Sequence, residues 1–228
     1  NRKLNGWAAY PTRHVMVDLD RKRNPISGTL VRADPFNLWE ELSPPIKEIF
    51  ARRVAIVGGE SCGKSTITPR VASEFGGSYT TEAGRDFVEK YGTDQTNKAI
   101  WGYILREQPA REAQAARHSP TGLVICDTDL LTTAVWYVRW VGQDDWYENV
   151  LYSIALEHTK HYAHYIVMSH VGVPWIDDGS RSEEHNREFF TTRLVELIEQ
   201  TDIPYTVVEG DWNVRTRNVR KLVSTLAL

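Results

Sequence analysis

Val54-Ala55-Ile56-Val57-Gly58-Gly59-Glu60-Ser61-Cys62-Gly63-Lys64-Ser65 is the stretch that decides the fold of this chain. From Gly58 onward it fits G-x-x-x-x-G-K-[ST], the loop that cradles phosphates. The apolar run before it reads as a buried strand, and the stretch from Lys64 to about Phe75 is compatible with a helix. Glycines let the backbone curl so that successive N–H groups point inward at phosphate oxygens. A helix beginning near Lys64 adds its positive N-terminal end. Gly58, Gly59, Glu60, Ser61, Cys62, Gly63, Lys64, Ser65 and Thr66 therefore form the candidate ATP site. Lys64 would bridge the β- and γ-phosphates, and Ser65 would hold Mg2+ through its hydroxyl.

Downstream of the loop, apolar strands alternate with helical stretches. After the strand Arg53–Val57 and the helix Lys64–Phe75, the pattern predicts a strand over Ser78–Thr81. Helices follow over Asp86–Tyr91 and Lys98–His118, then a strand over Leu123–Cys126 ending at Asp127. Helices over Leu130–Val141 and Trp146–His158 precede a strand over Tyr165–Ser169. A helix over Glu184–Gln200, a strand over Tyr205–Val208 and a helix over Val214–Leu226 complete the series. This order predicts an α/β fold of the P-loop NTPase, nucleoside/nucleotide kinase-like type, with a parallel sheet and helices on both faces. The first fifty residues differ: they are rich in Pro, Arg and Asp, and Pro44-Pro45 punctuates them before a short amphipathic piece from Ile46 to Phe50. The expected division is 1–50 as an appendage and 51–228 as the kinase-like domain.

The chain has 228 residues and a net charge of −3, a balance that implies neither a nucleic-acid nor a membrane partner. No apolar run approaches the length of a membrane span, and no signal peptide is visible. Two cysteines, Cys62 and Cys126, argue for a reducing, cytoplasmic setting and against a disulfide framework. The chain opens at Asn1 without an initiator Met, so the expectation is that residues before it are missing.

Further chemistry follows the strands, at the edge where open α/β sheets bind ligands. Leu123-Val124-Ile125-Cys126-Asp127 delivers a carboxylate there, able to reach Mg2+ or a hydroxyl. Asp127 and Asp129 together could orient a sugar diol or a hydrated metal, while Asp129 also reads as the cap of the helix from Leu130, which carries Thr132 and Thr133. Glu82 is a candidate base for a substrate hydroxyl and Arg85 a candidate phosphate or carbonyl contact. Thr81 capping a helix is the plainer reading of that stretch. Trp175-Ile176-Asp177-Asp178-Gly179-Ser180-Arg181, with Arg187 beyond, looks like a lid whose arginines neutralise charge on a transferring phosphoryl group. Trp136, Tyr137 and Trp140 read first as core, with base stacking as a second role for Trp136. His158, His161 and His164 run from a helix end into a strand, so they cannot share one helix face and do not read as a metal site. A GTPase is disfavoured because Asn97-Lys98 continues Ala-Ile rather than completing N-K-x-D.

Together these motifs resemble the ribosylnicotinamide kinase domain of the bifunctional NadR family. The matching pieces run from Arg53 to about Leu226 in the family's order: the loop from Gly58, Glu82-Ala-Gly-Arg-Asp-Phe-Val, Asp127-Thr-Asp with Thr132-Thr133, and Trp175-Ile-Asp-Asp-Gly-Ser-Arg-Ser. Ile26-Ser27-Gly28-Thr29-Leu30-Val31-Arg32, with Asp18 and Arg21 upstream, looks like the late motif of nucleotidylyltransferases. The early His-x-Gly-His motif is absent, so adenylyl transfer is not expected of this sequence. The resemblance implies transfer of the γ-phosphoryl group of ATP to the 5′-hydroxyl of nicotinamide riboside. Lys64, Ser65 and Mg2+ would hold the phosphates. Asp127 or Glu82 would orient the hydroxyl or take its proton. Asp129, Arg85 and Trp136 would contact the riboside, Arg181 and Arg187 would close over the phosphates, and Gly210–Arg215 would edge the adenine. Where the family usually has Tyr after the motif glutamate, this chain has Ala83, which bears on substrate geometry. Another nucleoside or nucleotide kinase, or a non-catalytic ATP- or NAD-sensing module, shares the same loop. The oligomeric state, a homo-oligomer included, is open.

Overall fold

The structure, a computed structural model, describes residues 25–92, 97–176 and 184–227. The chain divides into two compact units, Asn1–Leu38 and Trp39–Leu228. In the first, a short helix α1 (Gly28–Ala33) begins within the Ile26–Arg32 stretch. Its N-cap Ser27 accepts a hydrogen bond from Leu30 N at 3.2 Å.

The second unit begins ahead of the boundary read near Phe50. Helix α2 (Pro44–Phe50) belongs to it, as does Trp39, whose indole Nε1 donates to Ser119 O at 2.7 Å. Strand β1 (Arg52–Val57) leads into α3 (Lys64–Glu74), followed by β2 (Ser78–Thr80), α4 (Ala83–Tyr91) and α5 (Lys98–His118). Strand β3 (Leu123–Asp127) and α6 (Leu130–Trp140) come next, then a π-helical turn (Tyr147–Leu151) running into α7 (Tyr152–Thr159). Strand β4 (Tyr162–Met168), a 3-10 turn (Glu184–Asn186), α8 (Arg187–Ile198), β5 (Tyr205–Val208) and α9 (Trp212–Leu226) complete it.

All pairings in the sheet are parallel, in the order β2-β3-β1-β4-β5. A parallel sheet needs cover on both faces, which explains why its strands read as nearly unbroken apolar runs. Val54 and Ile56 point into a cluster with Ile67 and Val71 of α3 and Val219 and Val223 of α9. Strand alternation turns Ala55 and Val57 to the other face, and they too are fully buried.

Strand β4 starts earlier than the Tyr165–Ser169 of the sequence reading. A register shift between Arg53 and Val54 gives Tyr162 the place opposite Arg53 and Tyr165 the place opposite Ala55. Both tyrosines thus face the same side despite their odd spacing. There Tyr162 donates to Glu112 Oε1 of α5 at 2.8 Å, and Tyr165 donates to Asp129 Oδ2 at 2.8 Å. Glu112 also faces His158, with Oε2 3.7 Å from Nε2. Burial lifts the Glu112 carboxyl to about 8 and pulls His158 down to about 4. The pair is therefore neutral in the folded protein near pH 7.

Candidate active site

Every strand of a parallel sheet delivers its C-terminal end to the same edge, and the strand order decides which ends are neighbours. Here β1 is central. Asp127, the last residue of β3, pairs in register with Ile56 beside the start of the phosphate loop. The end of β4 closes on the other side: a Cβ on Gly58, whose φ is +143, would lie 2.4 Å from Met168 O. Gly63, at φ +84, lies under the Trp212 ring, where a Cβ would come within 2.9 Å. At both positions only glycine fits. Ser61 adopts a left-handed φ of 55 and accepts from Ile176 N through its hydroxyl at 2.9 Å.

Lys64 opens α3 and folds back over the loop, its Nζ donating to Gly59 O at 2.8 Å. Asp127 is buried, and its Oδ1 has no partner among the described residues. Burial raises its pKa, and Lys64, then Ser65, oppose the rise. Glu82 stands at the start of α4 with Arg85 Nε 4.0 Å from its Oε2. Enclosure in the cleft raises its pKa, Lys64 lowers it, and Asp127 raises it again. Lys64, Asp127 and Glu82 thus form one interacting set.

Lys64 and Glu82 line a cavity of about 190 Å³ whose lining is of two kinds. Residues 60–66, Glu82 and Arg85 make the polar part. Val88, Ile100, Trp101, Ile104, Trp136 and Trp140 make an apolar, aromatic wall. Trp136 is held in place by Phe190, with ring centroids 4.2 Å apart, and Trp101 by the edge of Tyr137 at 5.3 Å. The start of α4, and with it Glu82, is tied to α5 by Ala83 N donating to Gln108 Oε1 at 3.0 Å.

Of the residues singled out in the sequence, the structure brings together the loop from Glu60 to Thr66, Glu82, Arg85 and Trp136 around this cavity; Asp127 is not in its lining but interacts with Lys64 and Glu82. Asp129 is elsewhere. Its carboxylate accepts from Leu131 N, Thr132 N, the Thr132 hydroxyl and the Tyr165 hydroxyl, so its acceptor capacity is spent on capping α6. It sets the helix bearing Thr132, Thr133 and Trp136 and does not itself line the cavity. Arg187 is buried behind the loop, not over it, and donates to Val173 O at 3.1 Å and Ser61 O at 3.4 Å. Arg181 and the 177–183 segment lie outside the described residues, as do Asp18 and Arg21. Arg215 is wholly buried. His158 and His164 face Glu112 and Thr206, and no group of three metal-ligating side chains occurs among the described residues. Trp101, Ile104 and Gln108 were not singled out in the sequence. Their spacing along α5 marks a buried face, but nothing local says that the face meets a cavity.

A family described as AAA domain matches residues 53–215. The chain is 30% identical over 201 residues to the trifunctional NAD biosynthesis/regulator protein NadR of Escherichia coli K12, covering 86% of this chain and 48% of that protein. With the protein of the same description from Salmonella typhimurium the identity is 29% over 217 residues, covering 93% and 52%. The chain thus spans about half the length of the curated relatives it matches. Among solved structures, a NadR protein in complex with NR superposes with a TM-score of 0.75 at 19% identity, over 90% of this chain and 60% of that one. Deoxyadenosine kinase from M. mycoides with bound dATP superposes with a TM-score of 0.53 at 18% identity, over 75% and 99%. At such identities the two superpositions speak to the fold, which is that of P-loop kinases. No helix among the described residues is long and apolar enough to cross a membrane.

Proposed function

We propose, for a chain that belongs to the AAA-domain family and is homologous to the NadR proteins, ATP- and Mg2+-dependent phosphorylation of the 5′-hydroxyl of nicotinamide riboside, giving nicotinamide mononucleotide. The observation that carries this reading is a cavity lined by Lys64 and Glu82, which interact with the neighbouring Asp127, and by an aromatic wall. A phosphate donor fits the polar lining and a flat nucleobase-like ring the wall.

The loop amides and Lys64 hold the β- and γ-phosphates, Lys64 exchanging Gly59 O for a phosphate oxygen. Ser65 and Asp127 are the groups that would hold Mg2+. They are hard oxygen donors, and the unpartnered Oδ1 of Asp127 is what an absent cation would explain. Bound there, Mg2+ would neutralise the charge that develops as the phosphoryl group transfers. With Asp127 engaged, Glu82 is the carboxylate left to orient the acceptor hydroxyl and take its proton. Burial raises the pKa of both carboxylates, but Glu82 is the one that lines the cleft, within reach of an acceptor hydroxyl. Arg85 steers its carboxylate, and Trp136 and Trp101 flank the ring. In a loose transition state this positioning matters more than base strength. We read residues 1–50 as the C-terminal tail of a nucleotidylyltransferase-like domain, supported by the Ser27-capped helix start. Two free, buried cysteines support a cytoplasmic site of action.

The test is ADP release from ATP and Mg2+, with and without nicotinamide riboside, beside a panel of ordinary nucleosides. Release that depends on nicotinamide riboside and yields nicotinamide mononucleotide upholds the proposal. Release only with another nucleoside discards the substrate and keeps the kinase. Binding of ATP without release under any acceptor replaces the enzyme by a sensor.

A further inference from the structure

Two arginines that the proposed reaction does not use converge on the phosphate loop from its outer side. Arg215 is fully buried in α9. Its Nε donates to Gly210 O at 2.6 Å, its Nη2 to Val171 O at 2.6 Å and its Nη1 to Cys62 O at 3.5 Å. Arg187, buried at the start of α8, reaches Val173 O and Ser61 O through Nη2, stands over the Trp175 ring at 5.8 Å, and leaves its buried Nε without an acceptor. Neither guanidinium is paired with a carboxylate among the described residues; backbone carbonyl dipoles solvate both. Burial pulls the Arg215 pKa below its ordinary range, and Arg187 pulls it the same way. A guanidinium nonetheless stays charged in a protein. Two buried cations therefore stand within one peptide of the nucleotide site.

The geometry of the peptide unit gives these contacts a direction. A trans peptide points its C=O and its N–H to opposite sides. With Ser61 O turned out to Arg187 and Cys62 O turned out to Arg215, the N–H groups of Cys62 and Gly63 are turned inward. Those are residues that line the cavity, and neither N–H donates to a backbone acceptor among the described residues. Ser61 needs such support, since its left-handed φ of 55 is strained for a residue with a Cβ.

We propose that Arg187 and Arg215 are positioning residues for phosphate recognition: they grip the loop from behind, aim the Cys62 and Gly63 amides into the cleft, and add buried positive charge that favours polyphosphate over the bare nucleoside. This rests on the reading of the cleft as an ATP site. It differs from a lid role, in which Arg187 would reach over the phosphates, because the guanidinium lies on the loop's far side.

The experiment measures binding of Mg-ATP, Mg-ADP and adenosine to the full chain, unaltered and carrying Arg187→Gln or Arg215→Lys, with thermal melting of each. Arg187→Gln is expected to weaken Mg-ATP about tenfold or more and Mg-ADP similarly, to leave adenosine within about twofold, and to raise KM for ATP without raising KM for the acceptor. Equal loss for ATP and adenosine, or no loss for either, overturns the proposal. Should Arg215→Lys fail to fold, Arg187→Gln decides alone. Failure of ATP to bind the unaltered chain strikes the ATP-site reading itself, whereas unchanged ATP-to-adenosine selectivity in a folded variant strikes only this inference.

Discussion

Replacing Glu112 by Gln should remove an alkaline weakness from the fold. Glu112 is buried, its carboxyl held at about 8 against an ordinary 4.5. The folded state keeps that proton longer than the unfolded state does. The resulting stabilisation is whole below pH 4.5 and is lost as pH rises through 8. His158 works in the opposite sense: its pKa falls from 6.5 to about 4, so its contribution is whole above pH 6.5 and is lost as pH falls through 4. Between pH 4.5 and 6.5 the two slopes oppose each other. From pH 6.5 to 8 only Glu112 titrates between its two states, at about 1.4 kcal/mol per pH unit, so the pair predicts a loss of about 2 kcal/mol. In a domain of this size that is a fall in Tm of roughly 4–8 °C. Glu112→Gln keeps an acceptor for Tyr162 and a polar partner for Gln108 and carries no proton to lose. Urea unfolding of both proteins at half-unit steps from pH 5 to 8.5 measures the difference, in which all other titrating groups cancel. The variant's advantage should grow steadily above pH 6.5. Parallel curves, or an advantage confined to acid, would refute the reasoning.

On the proposed reading, Lys64→Ala should lower kcat by roughly 10³-fold, with melting close to that of the parent, because among the described residues the lysine donates only to Gly59 O and its part is to hold the phosphates; steady-state ADP release checks this. Glu82→Gln should remove the acid limb of the pH–rate profile, since turnover falls as pH drops through the raised pKa of the base. Asp127→Asn should instead raise the Mg2+ concentration needed for half-maximal rate, and if Asp127→Asn alone abolishes the acid limb the two roles are reversed. Gly58→Ala should destabilise the fold by roughly 3 kcal/mol in urea, because its Cβ would meet Met168 O at 2.4 Å and backbone cannot step aside.

The parts of this protein that were legible in the sequence are those whose signals are local. The run from Val54 to Ser65 contains its own strand, turn and helix start, and the structure returns all three. Asp127 was legible because an apolar strand ends on it. What escaped depends on distant partners. Strand β4 begins at Tyr162 because of a register shift against β1, invisible where Tyr162-Ala163-His164 looks mixed. Asp129 reads equally as cap or ligand until Tyr165 takes its remaining oxygen. In the sequence Arg187 reads as a lid arginine and Arg215 as part of an adenine edge, but their burial is set by carbonyls of loops remote in sequence. The cavity wall from α5 is likewise a matter of which helix packs beside which strand, not of any spacing within α5 itself.

Phe190 has a consequence for how this protein can change. Its Cβ lies against the Gly59 position, 3.4 Å from where a side chain there would begin, while its ring lies against Trp136. One side chain therefore shoulders both the nucleotide loop and the wall that faces the acceptor. A substitution that reshapes the wall to admit a different ring, Trp136→Leu for instance, withdraws support from Phe190 and is transmitted to the loop. Acceptor preference and donor grip are in this sense mechanically geared. A lineage or an engineer altering one will find the other moving with it unless Phe190 is repacked in the same step.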